Sequence, residues 1–439
     1  METNSKFLRL FGVVVFLVFL VAACGPAATT VAPASTSAPT TVTTIDVLHI
    51  YSEGVADQAQ MVEWGKKFEA LNPQYKINWI WGGAQIDTLF QADVNSGNVP
   101  DLVYNNDATI ASLARQGGVL QPLNKYLDTQ NYESNAIWKD TFYPGLLTNA
   151  LVDTSYYAIP DSMYFPGVWY DKVMFDKQGY KIPQTWPEML ALCDQIKKDL
   201  NIPCFDQDNA GWTNKNVAFY IIERAVGGQA LYDAGMGKTT FNTPGFLLAA
   251  QTFQDLTTKH FASGWSGSQW PAAEADWATG GAAMFIMPSW LPSEVASIQM
   301  EGFTPKVFPV PTIPGGYTGT PELEVKFNGW ALPVGAKHPD AAIVFAKFFT
   351  SSAYQKARSD GYSLASSLPS VGLPPSIADF QPALVAAHTI RFGAGLDADA
   401  SDWEAKVFQP LNTSLATGQL TPAEFIQQLD TQTKVFYKK

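Results

Sequence analysis

Strand-like and helix-like segments alternate along most of the chain, and this alternation limits the fold more than any other feature. Runs of apolar and β-branched residues predict strands, and apolar residues three or four positions apart predict helices. The first strands are predicted at 45–51, 75–81 and 101–104, with helices at 58–72, 88–96 and 108–116. Helices between successive strands favour a parallel sheet covered on both faces. The sequence therefore predicts the α/β class.

The alternation continues towards the C-terminus. Further strands are predicted at 167–170, 282–286 and 331–334, and further helices at 187–200, 244–258, 339–350 and 421–437. The chain has 439 residues, of which 46% are hydrophobic. A chain of this length and composition has enough apolar side chains for large cores, and its length indicates two or three domains.

The first 24 residues have the pattern of an export signal. Lys6 and Arg9 precede an uncharged apolar run at 10–23. This run is shorter than the ~20 residues that span a bilayer, and it has the length of a signal-peptide core. It ends in two alanines before Cys24, which resembles the bacterial lipobox, where the peptide is cleaved and the cysteine receives lipid. We predict a signal peptide at 1–23 and lipidation of Cys24; an uncleaved anchor is the alternative.

The segment that follows the cysteine has no features of a folded domain. Residues 25–44 (GPAATTVAPASTSAPTTVTT) consist mainly of Ala, Thr, Pro and Ser, without charge or large side chains. Such a composition cannot bury enough apolar surface to fold. We therefore predict that residues 24–44 form a lipid-anchored, flexible tether that holds an extracytoplasmic body to the bacterial cell membrane.

The charge balance excludes one class of partner. The chain has 40 Asp and Glu residues against 28 Lys and Arg, a formal net charge of -12. Nucleic-acid binders neutralise phosphates with basic side chains, and no basic stripe is present. We expect no nucleic-acid partner. An acidic surface is also repelled by anionic lipids, so membrane attachment must come from the lipid on Cys24.

The body contains two cysteines, Cys193 and Cys204, about ten residues apart. Outside the cytosol such a pair can form a disulfide. The alternative is two small buried thiols. Neither cysteine has a histidine at a useful spacing, so nucleophilic or zinc chemistry is not predicted.

Motifs of enzymes and metal sites are incomplete throughout. A phosphate-loop-like end at 235–240 has Tyr232 where its first glycine is required, and a calcium-loop-like start at 206–211 has Val217 where a glutamate is required. The four histidines are scattered, without the pairing of a helical metal site. We expect no catalytic residue, no metal and no cofactor.

Aromatic side chains accompany polar residues in several loops. The chain has 13 tryptophans and 17 tyrosines, and loops such as 104–107, 161–165, 208–212, 288–290 and 327–330 place them beside Asp, Asn, Gln or Ser. Sugar rings have apolar faces that stack on aromatic rings, and their hydroxyl groups need planar donors and acceptors. These loops therefore favour a carbohydrate ligand, although most single tryptophans in a protein serve core packing.

The order of several motifs resembles the family 1 extracellular solute-binding proteins of ABC importers, the group that contains the maltose/maltodextrin-binding protein. The resemblance extends from about residue 47 to the C-terminus. It rests on segments 96–103 (SGNVPDLV), 113–123 (LARQGGVLQPL), 157–160 (YAIP), 183–189 (PQTWPEM) and 280–284 (GGAAM). The segment 169–172 (WYDK) has Asp171 where the family usually has Asn, and 113–123 has one extra residue.

The resemblance implies a two-lobed, periplasmic-binding-protein-like fold, in which each lobe is a mixed sheet flanked by helices and a hinge joins the lobes. The N-terminal lobe is expected at 45–157 and 312–362, and the C-terminal lobe at 158–311 and 363–439. The chain is expected to cross the hinge near 157–161, 310–314 and 361–367. Such proteins close on their ligand and deliver it to the permease subunits and ATPase of an importer. We expect a monomer.

The resemblance also places candidate ligand contacts at the carboxyl ends of the strands. They are Glu53, Asn105, Asn106, Asp107, Asp161, Tyr164, Trp212, Trp290 and Trp330. Two alternatives remain open. A polyamine or amino-acid-type ligand would use the acidic surplus together with aromatic walls. A surface glycoside hydrolase would need two carboxylates across the cleft, for which Asp107 and Asp161 are the candidates.

Overall fold

The computed structural model describes residues 42–54 and 56–438. The predicted signal peptide, Cys24 and most of the predicted tether lie outside the described residues. The chain from Val42 onward forms one compact unit.

Short strands are spread along the whole described chain. They are β1 (Thr43–His49), β2 (Tyr75–Trp81), β3 (Leu102–Asn106), β4 (Leu151–Val152), β5 (Ser155–Tyr156), β6 (Ile159–Tyr164), β7 (Pro166–Asp171), β8 (Phe205–Asp206), β9 (Met284–Pro288), β10 (Pro305–Phe308), β11 (Glu322–Glu324), β12 (Lys326–Ala331), β13 (Ala365–Ser366) and β14 (His388–Ile390).

Helices separate and cover these strands. They are α1 (Ala56–Leu71), α2 (Ile86–Ser96), α3 (Asp107–Gln116), α4 (Asn124–Leu127), α5 (Pro144–Asn149), α6 (Lys172–Gln178), α7 (Trp186–Leu200), α8 (Gly211–Val226), α9 (Gly228–Gly235), α10 (Pro244–Lys259), α11 (Ala272–Ala278), α12 (Leu291–Val295), α13 (Pro339–Phe349), α14 (Ser352–Tyr362), α15 (Gln381–Ala386), α16 (Leu396–Asp399), α17 (Ser401–Trp403), α18 (Gln409–Ala416) and α19 (Pro422–Phe436).

The larger sheet has the strand order β13-β6-β12-β3-β1-β2. Strands β1, β2 and β3 are parallel, as their intervening helices predict, with Ile45 opposite Ile77 and Val47 opposite Leu102. Strand β12 is antiparallel to both β3 and β6. The sheet is therefore mixed, as the family resemblance implies.

A second, four-stranded sheet has the order β10-β7-β9-β8. Its central strand β7 is antiparallel to both neighbours, whereas β8 and β9 are parallel. The chain passes from the larger sheet to this one between β6 and β7, at Phe165, whose buried ring stacks on Phe380 with 4.3 Å between ring centroids. This passage lies a few residues after the predicted first crossing at 157–161. The assignment of residue ranges to lobes stays a prediction.

Local sequence signals fix the position of α7. Glu188 accepts hydrogen bonds from the backbone N–H groups of Gln184 (2.7 Å) and Thr185 (3.2 Å), and so begins α7. The helix ends at Asn201, which adopts the left-handed conformation. Its buried residues Met189, Cys193 and Ile196 recur every three to four positions and face the core. The predicted helix at 187–200 therefore agrees with the structure.

One predicted strand is displaced. The apolar segment 331–334 predicts a strand, but β12 spans Lys326–Ala331. The true strand contains Lys326, Asn328 and Gly329, which hide its strand character from a hydrophobicity pattern. Its carboxyl-terminal part, Gly329 to Ala331, is nevertheless buried. The displacement matters because Asn328 lies beside the candidate site.

Cys193 and Cys204 form a disulfide, with their Cα atoms 4.9 Å apart. We expect the double substitution Cys193→Ser, Cys204→Ser to lower the free energy of unfolding by about 2–3 kcal/mol, because the bond closes a loop of roughly ten residues in the unfolded chain. Urea unfolding without reductant measures the difference. Adding reductant should lower the stability of the wild type and leave the double variant unchanged; an equal response of both proteins would contradict the prediction.

Across residues 42–54 and 56–438, no helix has the length and apolar character needed to cross a membrane.

Candidate ligand-binding site

Asn105, Asn106 and Asp107 lie together where β3 ends and α3 begins. The side chain of Asn106 accepts the N–H of Thr109 at 2.9 Å and thereby caps α3. Asn105 is buried; its Oδ1 accepts the N–H of Asn106, and its Nδ2 donates to Asp87 at 3.1 Å. The two amide side chains thus hold the turn after β3. Glu53 lies in an exposed turn that follows β1.

Asp107 is a buried carboxyl group at the start of α3. Its Oδ1 accepts the N–H of Ala108 at 3.0 Å. Burial raises the pKa of Asp107 to about 6. The positive charge of Lys326 and the hydrogen bond from Ala108 lower the pKa, but by less than burial raises it. The side chain is therefore held in the protein, is mainly ionised at pH 7 and takes up a proton near pH 6.

Asp161 belongs to a buried network of hydrogen bonds and one ion pair. Its Oδ2 accepts the hydroxyl of Tyr104 at 2.8 Å and forms an ion pair with Arg358, and its Oδ1 accepts Nε2 of Gln355 at 2.7 Å. Both Asp161 and Arg358 are almost completely inaccessible, at 0% and 2% of their side-chain surface. These contacts join β6 to α14. A ligand contact by Asp161 stays a prediction, and the contacts in the structure give it a structural role.

Trp330 is also buried, at 0% exposure. Its ring packs against Tyr104 (4.5 Å between centroids), Phe345 (5.3 Å) and His49 (5.9 Å). Its ligand contact stays a prediction. On the same strand, Asn328 is only partly buried and donates through Nδ2 to the hydroxyl of Tyr164 at 3.4 Å. Sequence reasoning noted the loop 327–330 but selected Trp330 rather than Asn328 as its contact residue.

Three of the predicted contact residues form one aromatic group, which we call the aromatic surface: Tyr164, Trp212 and Trp290. The rings of Tyr164 and Trp290 meet edge to face, with 5.4 Å between centroids. Those of Trp212 and Trp290 lie 6.5 Å apart with a tilt of 41°. Trp212 exposes 37% of its surface and Trp290 is half-buried. Strand β6, the start of α8 and the turn after β9 each supply one ring.

Several hydrogen bonds hold the backbone around the aromatic surface. Asp208 Oδ1 accepts the N–H of Ala210 (3.0 Å) and the hydroxyl of Thr213 (2.5 Å), which sets the start of α8 and the position of Trp212. Next to Trp290, the backbone N–H of Ser289 donates to the carbonyl of Phe165 at 2.9 Å. In return, the N–H of Phe165 donates to the Ser289 hydroxyl at 3.3 Å. Two preformed turns therefore carry the tryptophans.

Within the described ranges, no group of three or more His, Cys, Asp or Glu side chains has an arrangement that could hold a metal ion. The aromatic rings and amide groups at this site can instead stack on, and hydrogen-bond to, a neutral polar ligand.

Comparison with known proteins identifies the family. A family model described as bacterial extracellular solute-binding protein matches residues 52–356. An uncharacterized ABC transporter extracellular-binding protein of Pyrococcus horikoshii is 24% identical over 349 residues, which cover 78% of this chain and 77% of that protein. The diacetylchitobiose binding protein of Streptomyces coelicolor is 27% identical over 218 residues, which cover 47% of this chain and 45% of that protein.

The fold agrees with solved structures. A chitin oligosaccharide binding protein superposes with a TM-score of 0.70 at 21% sequence identity, over 90% of this chain and 98% of that one. The likeness confirms the predicted α/β fold of two-lobed solute-binding proteins. Since the family model matches more than half of the sequence, the chain belongs to the bacterial extracellular solute-binding protein family.

Proposed function

We propose that this protein is the carbohydrate-binding lipoprotein of an ABC importer. The observation that carries the proposal is the aromatic surface, in which Tyr164, Trp212 and Trp290 stand together beside the amide of Asn328. Aromatic rings beside a planar amide suit the apolar faces and hydroxyl groups of a sugar. The Streptomyces coelicolor relative is named as a diacetylchitobiose binding protein, and this name supports the same ligand class.

The proposed mechanism is capture and release. A sugar binds between open lobes, and contacts from both lobes favour the closed form, which then docks on the permease subunits. The ligand shifts the population only by its preference for the closed form. Lipid on Cys24 keeps the binder near the transporter, and the residues between Cys24 and β1 act as the tether. Labelling of cells with radioactive palmitate tests the anchor, because Cys24→Ala should remove the label.

Hydrolysis of a glycoside is less well supported. Its two carboxyl groups must flank the scissile bond at ~5–9.5 Å. Of the candidate pair, Asp161 is fully buried and ion-paired with Arg358, so it would have to break that pair to reach a substrate. A polyamine ligand would exploit the acidic surplus, and its binding should weaken with salt far more than binding of a neutral sugar.

A thermal-shift screen of the purified full chain tests the ligand class. It compares mono- and oligosaccharides with polyamines and amino acids at two salt concentrations. A ligand at a hundred times its dissociation constant should stabilise the protein by about 2.7 kcal/mol. We expect stabilisation by carbohydrates that changes little with salt. Stabilisation by polyamines alone would overturn the carbohydrate assignment and leave the family membership intact.

A further inference from the structure

Two tryptophans stand out by their exposure. All 13 tryptophans of the chain lie within the described ranges, and among them only Trp212 and Trp270 are exposed, at 37% and 46% of their surface. Leaving a large apolar ring in water forfeits the stabilisation that burial would give. Trp212 belongs to the aromatic surface. Trp270 is not among the predicted ligand contacts, so its exposure needs a separate explanation.

The loop of Trp270 is attached to the loop that leads into Trp212. The N–H of Asn209 donates to the carbonyl of Ser268 at 3.1 Å, and Nδ2 of Asn209 donates to the carbonyl of Ser266 at 3.0 Å. These bonds hold the segment before Trp270 against the segment before Trp212. The two exposed indoles therefore belong to neighbouring loops on the same part of the molecule.

A pair of carboxyl groups connects Trp270 to the aromatic surface. The indole Nε1 of Trp270 donates to Oε1 of Glu274 at 3.0 Å. Glu274 interacts with Glu294 where α11 packs on α12, and Glu294 also interacts with the side chain of Trp290. Two carboxyl groups can bond to each other only when one of them carries a proton. The carboxyl pair thus connects the indole of Trp270 with that of Trp290.

Glu274 is the member of the pair that holds the proton. It is 1% exposed, whereas Glu294 is exposed to solvent. The titratable side chains on the elements around it are all acidic: Asp276 on its own helix, Glu294 on α12, Asp206 on β8 and Asp208 after β8. Burial and the neighbouring Glu294 raise the pKa of Glu274 to about 9. Glu274 is therefore neutral near pH 7 and donates to the Glu294 carboxylate.

Asp208 leaves a polar atom available beside this pair. Asp208 is fully buried, and its Oδ2 atom has no hydrogen-bond partner within the described part of the chain. Its negative charge contributes to the raised pKa of Glu274, which places it near the pair. A buried acceptor without a partner is costly unless a ligand or water donates to it.

We propose that Trp270 contacts the ligand and that Glu274 is the positioning residue that holds Trp270 and Trp290 relative to each other, so that the site takes a carbohydrate of more than one sugar ring. The inference rests on the proposed function. Trp270 extends the aromatic surface beyond Trp212 and Trp290, and each further ring adds a platform on which a further sugar can stack.

The test for Trp270 is calorimetric titration of the full chain with chito-, malto- and xylo-oligosaccharides of one to six rings. We expect Trp270→Ala to weaken the binding of a multi-ring ligand about tenfold, the effect of a loss of about 1.4 kcal/mol, and to leave a single-ring ligand within about twofold. Trp64→Phe, a half-buried indole on α1, is the control. Wild-type affinity of Trp270→Ala for every multi-ring ligand would overturn the proposal.

The pH profile of the same titrations tests Glu274. When the wild type is taken from pH 7 to pH 10, Glu274 ionises, the two carboxylates repel each other, and the affinity should fall. Glu274→Gln keeps an acceptor for Trp270 and a donor for Glu294 and removes the group that ionises near pH 9, so its affinity should fall less over that range than the affinity of the wild type. Glu274→Ala should weaken binding at every pH. Equal alkaline losses in Glu274→Gln and wild type would overturn the positioning role.

Failure of the proposed function is distinguishable from failure of this inference. If the wild type binds none of the carbohydrates, the proposed function falls and this inference falls with it. If the wild type binds them and the variants at Trp270 and Glu274 match it, only this inference is overturned. Glu274→Gln is nearly isosteric, so it remains informative even if Glu274→Ala fails to fold.

Discussion

Replacing Arg358 by methionine is expected to destabilise the protein by about 3–5 kcal/mol, because the substitution leaves the Asp161 carboxylate buried without its counter-charge. The hydroxyl of Tyr104 and the amide of Gln355, both neutral donors, would remain beside Asp161. Arg358 also donates to the hydroxyl of Tyr51 at 3.2 Å, and this bond would be lost as well. Equilibrium unfolding in urea measures the change in free energy.

The same helix offers a matched control. Lys356 lies two residues before Arg358 and forms an ion pair with Asp360, but both side chains are mainly in water, at 67% and 55% exposure. Because exposed pairs contribute little, Lys356→Met should change the stability by less than about 1 kcal/mol. Equal effects of the two substitutions would show that burial of the Arg358 pair does not determine its contribution.

A double variant separates the ion pair from the packing of α14. Asp161→Leu combined with Arg358→Met removes both charges, so no buried charge remains uncompensated. We expect the double variant to be more stable than the sum of the two single losses predicts. Additive losses would mean that the two side chains act independently.

This network also shows why Asp161 was difficult to interpret from the sequence. Asp161 and Arg358 are 197 residues apart, and no local pattern connects them. The loop after the first crossover suggested a ligand contact, whereas the returning helix α14 supplies the cation that holds the carboxylate inside. Trp330 presents the same difficulty, since its neighbours His49 and Tyr104 come from strands distant in sequence.

Local features were predictable because their causes are local. The strands β1 to β3 and their helices follow from hydrophobic periodicity, and α7 follows from Glu188 capping its first turn. Tyr164, Trp212 and Trp290 were chosen from three separate loops, and the fold brings them together. Trp270 and its carboxyl pair were missed, because the contact between Glu274 and Glu294 depends on how α11 packs on α12.

Replacing Trp212 or Trp290 by alanine is expected to weaken carbohydrate binding by about ten- to a hundredfold each, which corresponds to a loss of about 1.4–2.8 kcal/mol. Each indole offers a flat apolar face on which a sugar ring can stack. The effect of Trp290→Ala should be the larger, because Trp290 contacts both Tyr164 and Trp212 and its removal also loosens the other two rings. Calorimetric titration with the carbohydrate selected by the screen measures the loss.

Stability measurements on the same variants separate binding from folding. Trp212 is more than a third exposed, so Trp212→Ala should lower the free energy of unfolding by less than about 1 kcal/mol while it lowers the affinity. Trp330→Phe is a control that should lower the stability and leave the affinity unchanged. Its ring is fully buried among Tyr104, Phe345 and His49, so the variant should be less stable and bind its ligand within about twofold of the wild type. A large affinity loss in Trp330→Phe, together with wild-type binding by Trp212→Ala, would place the sugar away from the aromatic surface and return Trp330 to the candidate site.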